Sequence, residues 1–204
     1  MIPTLTNPLG LPQYHRLQYL ESTGTQWIDT GLIMSGADFT IEWEADTTDI
    51  VYDRTMFGTQ CRDPENASNW IWAGQLYCTA AGKYNLYIGR NYKTNISISG
   101  GRHTFQLTLA SGTVTLLVDG SSAAQITGAT YPPQTYPTTL FANNYNGAPQ
   151  QRPTMKLYGW KAVENGVTVR DMIPVLDKSG VPCMYDQVTR TPKYNAGTGA
   201  FNYD

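Results

Sequence analysis

Apolar and polar residues alternate with a period of two along most of this chain, the pattern of strands that bury one face and leave the other wet. In DFTIEWEAD (38–46), Phe39, Ile41, Trp43 and Ala45 fall on one side and Thr40, Glu42, Glu44 and Asp46 on the other. RHTFQLTLASGTVTLLVDG (102–120) sends Phe105, Leu107 and Leu109 one way, turns at Ser111-Gly112, and returns Val114, Leu116 and Val118 to the same side. Asp119-Gly120 starts another turn, and Asn165-Gly166 is a strong hairpin signal, because tight hairpins need positive φ. No helical period is sustained anywhere. Trp43 and Phe105 are therefore expected in a core between sheets.

Further short strands, NWIWAGQLYCTA, YNLYIG, NISIS and TTLFANNYNG, are bounded by Gly, Asn or Pro. Many short strands with frequent turn signals describe an all-β sandwich or barrel. The stretch TYPPQTYP (130–137) is a crossing loop, since β patterning resumes directly after it. Residues 1–16, with their early prolines, are expected to form an extended arm, and 17–204 a single domain.

Charge excludes some partners. The 14 Lys and Arg nearly balance the 16 Asp and Glu, and no basic run occurs, so nucleic acid is not expected. No apolar run is long enough to span a bilayer, and the N-terminus lacks the basic and apolar regions of a signal peptide. Cys61, Cys78 and Cys183 form no C-x-x-C, which points to buried thiols or to one disulfide and a free thiol.

YLESTGTQWIDTG near the start, LFANNYNG (140–147), and KLYGWKAVENGVTVRDMIPVLDKSGVPCMYDQVTRTPKYNAGTGAF (156–201) resemble one family together. They are similar to the concanavalin A-like, laminin-G-like jelly-roll domains of tailed-phage structural proteins and gut bacterial surface proteins. The likeness covers nearly all the chain after residue 16. It implies a β-sandwich of two antiparallel sheets whose first and last strands lie close together, with Trp27 and Ile28 anchoring the opening edge. It also implies binding or adhesion as the usual task, with some glycan-cleaving relatives of the same fold. Within the closing segment, RDMIP is expected to end a strand at Pro174, and Tyr185 and Tyr194 to pack beneath a small hairpin.

Glu42, Glu44 and Asp46 share one strand face, about 7 Å apart in succession. Glucanases of the concanavalin-like fold carry their carboxylates on alternate residues of a strand. Their order is E-x-D-x-E or E-x-D-x-x-E, whereas this chain has Glu, Glu, Asp, so these residues are expected to be non-catalytic. His15 and His103 have no sequence neighbour that would make a nucleophile and base pair. For calcium, Asp63, Glu65, Asn66 and Asp177 offer oxygens but no dense acidic loop, and neither metal nor cofactor is expected.

Glycans are gripped by aromatic faces and planar amides. Tyr145 among Asn143 and Asn144, together with Trp70 and Trp72, is the candidate ligand set, and Tyr131 and Tyr136 are further aromatics. Asn66-Ala67-Ser68 and Asn95-Ile96-Ser97 match the glycosylation sequon, which matters only in a eukaryotic secretory route.

The first functional expectation is a non-catalytic structural or adhesion protein of a phage virion: a capsid decoration, head-fibre or tail-associated component. Its partners would be other virion proteins or its own copies, reached through the arm, with cell-surface glycans as ligands. The alternatives are a carbohydrate-binding module of a bacterial surface protein and a glycoside hydrolase.

Overall fold

The computed structural model describes residues 14–63 and 65–204, so most of the expected arm lies outside the described residues. In chain order the strands are β1 (His15–Arg16), β2 (Leu20–Thr23), β3 (Ile28–Asp29), β4 (Phe39–Asp46), β5 (Arg54–Thr55), β6 (Phe57–Arg62) and β7 (Trp70–Ala80). Then come β8 (Lys83–Gly89), β9 (Asn91–Ser97), β10 (Arg102–Ala110), β11 (Thr113–Val118), β12 (Ser121–Thr127), β13 (Thr139–Leu140) and β14 (Asn143–Tyr145). The last are β15 (Ala148–Gln150), β16 (Thr154–Glu164), β17 (Val167–Leu176), β18 (Pro182–Asp186), β19 (Thr191–Lys193) and β20 (Asn202–Tyr203). Among the described residues no helix is long and apolar enough to cross a membrane.

Two sheets result. The larger runs β12-β11-β10-β4-β16-β17-β18-β19, with β1 on β17, β2 on β16 and β20 on β2. The smaller runs β15-β14-β6-β7-β8-β9, with β13 on β6, β3 on β13 and β5 on β7. The pairings are antiparallel with one exception: β14 runs parallel to β6, setting Asn144 against Thr59 and Tyr145 against Gln60.

The alternation in β4 explains the packing. Phe39, Ile41, Trp43 and Ala45 are buried between the sheets, and the intervening residues face outward. Trp43 stacks on Phe105 of the neighbouring strand at 4.7 Å and 3°, and meets Phe57 of the opposite sheet edge-on, also at 4.7 Å. Phe57 in turn meets Trp160 of β16 at 6.0 Å. These rings join both sheets through one contact set. The hairpins close as their sequences demand, with positive φ at both Ser111-Gly112 and Asn165-Gly166.

Three details differ from the sequence reading. β17 continues through Pro174, which pairs with Met184. On its other side Pro174 accepts from Leu17 N at 3.0 Å but has no N–H to return, so the short ladder with β1 ends there. His15 and Arg16, assigned by sequence to the arm, form β1, and Tyr14 packs on Tyr185 at 4.7 Å. Tyr194 is exposed, with its hydroxyl donated to Asp177, while Tyr185 is buried.

Candidate functional site

The outer face of the smaller sheet carries a group of neighbouring aromatic side chains, and β7 shows how. Ile71 and Ala73 point to the core, so Trp70 and Trp72 point out. At Gly74 the φ is +74°, and the register against β8 shifts between Trp72 and Gln75. This bulge reverses the parity of the strand, so that Leu76 and Cys78 now face inward while Tyr77 faces out. The left-handed backbone at Gly74 favours glycine, and an added side-chain carbon would also press on Leu107 Cδ2 at 2.8 Å. The glycine inside the apolar run was the signal for the bulge.

Across the sheet, the backbone register aligns Tyr145 with Gln60 and Gln60 with Trp72, so three adjacent strands present these side chains in one row. Tyr145 lies 4.6 Å from Trp70, whose ring carries the Arg62 guanidinium at 3.9 Å. Trp72 meets Tyr87 of β8 at 5.0 Å, and Tyr87 meets Tyr92 of β9 at 5.9 Å. Of the sequence candidates, Tyr145, Trp70 and Trp72 are thus together on one face. Tyr87 follows from the alternation of YNLYIG. Gln60 had no sequence signal, because its place depends on the non-local parallel pairing with β14.

The two asparagines divide. Asn144 points inward, donates to Pro137 O at 2.9 Å and caps the Gly147 amide, which is a turn-forming role. Asn143 points outward into an amide network, its Nδ2 donating to Gln60 Oε1 at 3.0 Å and Gln151 Oε1 at 3.2 Å. Those two acceptors fix the orientation of its amide and leave Oδ1 buried without a partner among the described residues. Gln151 Nε2 and the Tyr77 hydroxyl both donate to Asp53 Oδ1. Burial, and then Asp53, raises the Tyr77 phenol well above its ordinary range. Asp53, Asn146 and Gln151 all hold positive φ around this network, a local concentration of backbone strain.

The loop before Trp70 is pinned by charge. Arg90 Nη2 donates to Asp63 Oδ1 at 2.9 Å and to Glu65 Oε2 at 2.7 Å. The Arg90 guanidinium holds the buried Asp63 carboxyl down at about 2, from an ordinary 3.8. A depressed carboxylate pKa stabilises the fold above the unfolded value and loses that contribution on protonation. Stability is therefore expected to fall as pH drops from about 4 to about 2, and Asp63→Asn should flatten that part of a denaturant-midpoint profile. An unchanged slope in the variant would show that this pair does not set the acid response.

Tyr131 is buried against Phe39 at 5.1 Å and belongs to the core, and Tyr136 packs over Gly147. Asp177 accepts from Ser179 and Val181 within its own turn, and Asn66 caps Ser68. Among the described residues no cluster of three or more acidic, His or Cys side chains is arranged to hold a metal. His103 bonds Asp119 at 2.6 Å, and His15 is exposed on β1. The cysteines are all buried and unpaired.

The larger sheet bears a groove of about 520 Å³ on its outer face, lined in part by Glu42, Glu44, Gln106, Tyr158 and Lys161. Its two glutamates are engaged: Glu42 accepts from Gln106 at 3.0 Å and faces Lys161 at 3.6 Å, and Glu44 pairs with Arg102. Arg102 also lies 3.7 Å over the Tyr158 ring. Asp46 is turned to Thr48, accepting from its amide and hydroxyl.

The chain matches no protein-family model and no curated protein sequence. Solved structures do match. A candidate carbohydrate-binding protein from Bacteroides ovatus superposes with a TM-score of 0.62 at 12% identity, over 93% of this chain and 60% of that one. The NanB sialidase of Streptococcus pneumoniae, as its K499G mutant, gives 0.57 at 15% identity, over 77% of this chain and 26% of the sialidase. The CBM40 of the Ruminococcus gnavus IT-sialidase, bound to α2,3 sialyllactose, gives 0.53 at 11% identity, over 72% of this chain and 90% of that module. The likeness is one of fold, and the chain spans only part of the first two proteins. It is a concanavalin A-like jelly-roll β-sandwich.

Proposed function

We propose that this domain is a non-catalytic carbohydrate-binding module that receives glycan on the outer face of its smaller sheet. The observation that carries the proposal is the in-register row Tyr145–Gln60–Trp72, extended by Tyr87 and Tyr92 and backed by the Asn143 amide network. Aromatic faces over fixed amides suit the apolar and hydroxyl surfaces of sugars. The structural neighbours support the same reading, since a sialidase CBM40 bound to sialyllactose and a candidate carbohydrate-binding protein share the fold.

The test is a glycan array followed by titration calorimetry on the ligands it identifies. Trp72→Ala is expected to weaken binding by about 2 kcal/mol or more, roughly thirtyfold. Lys161→Ala, in the groove of the opposite sheet, is expected to leave affinity unchanged. The reverse outcome would move the ligand to that groove.

Hydrolysis is not expected, because Glu42 and Glu44 are engaged with Gln106, Lys161 and Arg102. Cleavage of any of a panel of β-glucans and galactans that disappears in Glu42→Gln or Glu44→Gln would establish the enzyme instead. For location, residence on a phage particle remains a proposal from the sequence resemblance alone, and the neighbours support only its glycan-binding half. Copurification of the chain with particles tests it.

A further inference from the structure

Building on that reading, we infer that the face takes an extended, uncharged glycan chain laid across the strands, not a single terminal sugar. The first reason is length. The aromatic trail runs from Tyr145 on β14 through Trp72 and Tyr87 to Tyr92 on β9. From β14 to β9 there are four strand-to-strand steps, about 19 Å at ~4.8 Å each. A pyranose ring is close in size to one aromatic ring, so this track is several sugars long. Its far end, Tyr92, is 63% exposed on the terminal strand, with Tyr87 as its aromatic neighbour among the described residues.

The second reason is the chemistry of the track. Gln60 accepts from Asn143 through Oε1, and its amide NH₂ has no partner among the described residues. Neither Trp70 nor Trp72 donates its indole N–H to a described residue, so half-exposed donors stand along the row for sugar hydroxyls. Of the two charges beside it, one is hydrogen-bonded and the other packs on a ring without an ion-pair partner among the described residues. Arg62 lies on Trp70, and Asp53 accepts from Tyr77 and Gln151. Nothing in the row itself calls for a charged group on the ligand.

The experiment is calorimetry of the whole chain with ladders of cello-, xylo- and manno-oligosaccharides, from monosaccharide to hexasaccharide, and with sialyllactose. Affinity for one ladder is expected to rise at least about tenfold from disaccharide to hexasaccharide, and to stay constant between low and high salt. Tyr92→Ala should remove the gain of the hexasaccharide over the disaccharide. Full affinity already at the mono- or disaccharide, or preference for sialyllactose with a salt-dependent affinity, would overturn the inference and leave the module reading intact. A Tyr92→Ala variant with unchanged hexasaccharide affinity would overturn it too. Binding to no probe would overturn both.

Discussion

Trp43→Ala is expected to lower the free energy of unfolding by about 3–5 kcal/mol, the usual range for emptying a large aromatic site in a core. Trp43 is 3% exposed and lies flat against Phe105 on its own sheet, edge-on to Phe57 of the other. Its indole N–H points to Met56 Sδ at 3.4 Å. Removing the ring therefore takes away contacts within one sheet and between the two. Neither sheet can collapse into the gap without moving the other, because the strands are fixed by their ladders. Phe105→Ala should cost a similar amount. Because the two rings touch, the double variant should cost less than the sum of the singles. Glu42→Gln, one residue away on the wet face, should change stability by under about 0.5 kcal/mol. Denaturant titration of the four variants against the wild type measures all of this, and a Trp43→Ala loss below about 1 kcal/mol would show that this aromatic contact does not hold the sheets together.

Gly89→Ala should be nearly as damaging, for a different reason. Gly89 ends β8 at φ +55°, and a side-chain carbon there would lie 1.8 Å from the backbone oxygen of Thr130. Backbone cannot step aside as a flexible side chain can. The expected loss is about 3 kcal/mol, combining an overpacking cost of roughly 1–3 with a left-handed backbone cost of roughly 1–2. Gly120 provides the control. Its φ is +75°, and nothing lies within 4 Å of the added carbon, so Gly120→Ala should show the backbone cost alone. Gly89 also sits opposite Trp72 in the ladder, so displacement at this point should weaken glycan binding along with the fold. Equal losses from the two glycine variants would show that the Thr130 contact relaxes freely.

What could be read from the sequence divides along physical lines. Local periodicity placed Phe39, Ile41, Trp43 and Ala45 in the core, and turn chemistry located the hairpins at Ser111-Gly112 and Asn165-Gly166. Both depend on neighbours in sequence. The aromatic row could be read only in part. Trp70, Trp72 and Tyr145 stood out as residue types, but their meeting depends on β14 running parallel to β6, a pairing between segments more than eighty residues apart. The bulge at Gly74 reversed the face of half a strand, so simple alternation carried through β7 would have put Tyr77 in the core. Pro174 misled in the opposite direction. A proline usually stops a strand, but here the bond it cannot make falls where the ladder with β1 ends.

The three buried thiols bear on the kind of medium the domain tolerates. No disulfide joins any part of the sandwich, so a reducing environment has no crosslink to remove. An oxidising one has little to attack. Burial pushes the Cys183 thiol up to about 12 and raises Cys78 as well, which keeps both from forming the reactive thiolate. The fold is thus poised to be indifferent to redox potential. The sandwich can therefore keep one covalent structure in reducing and in oxidising media.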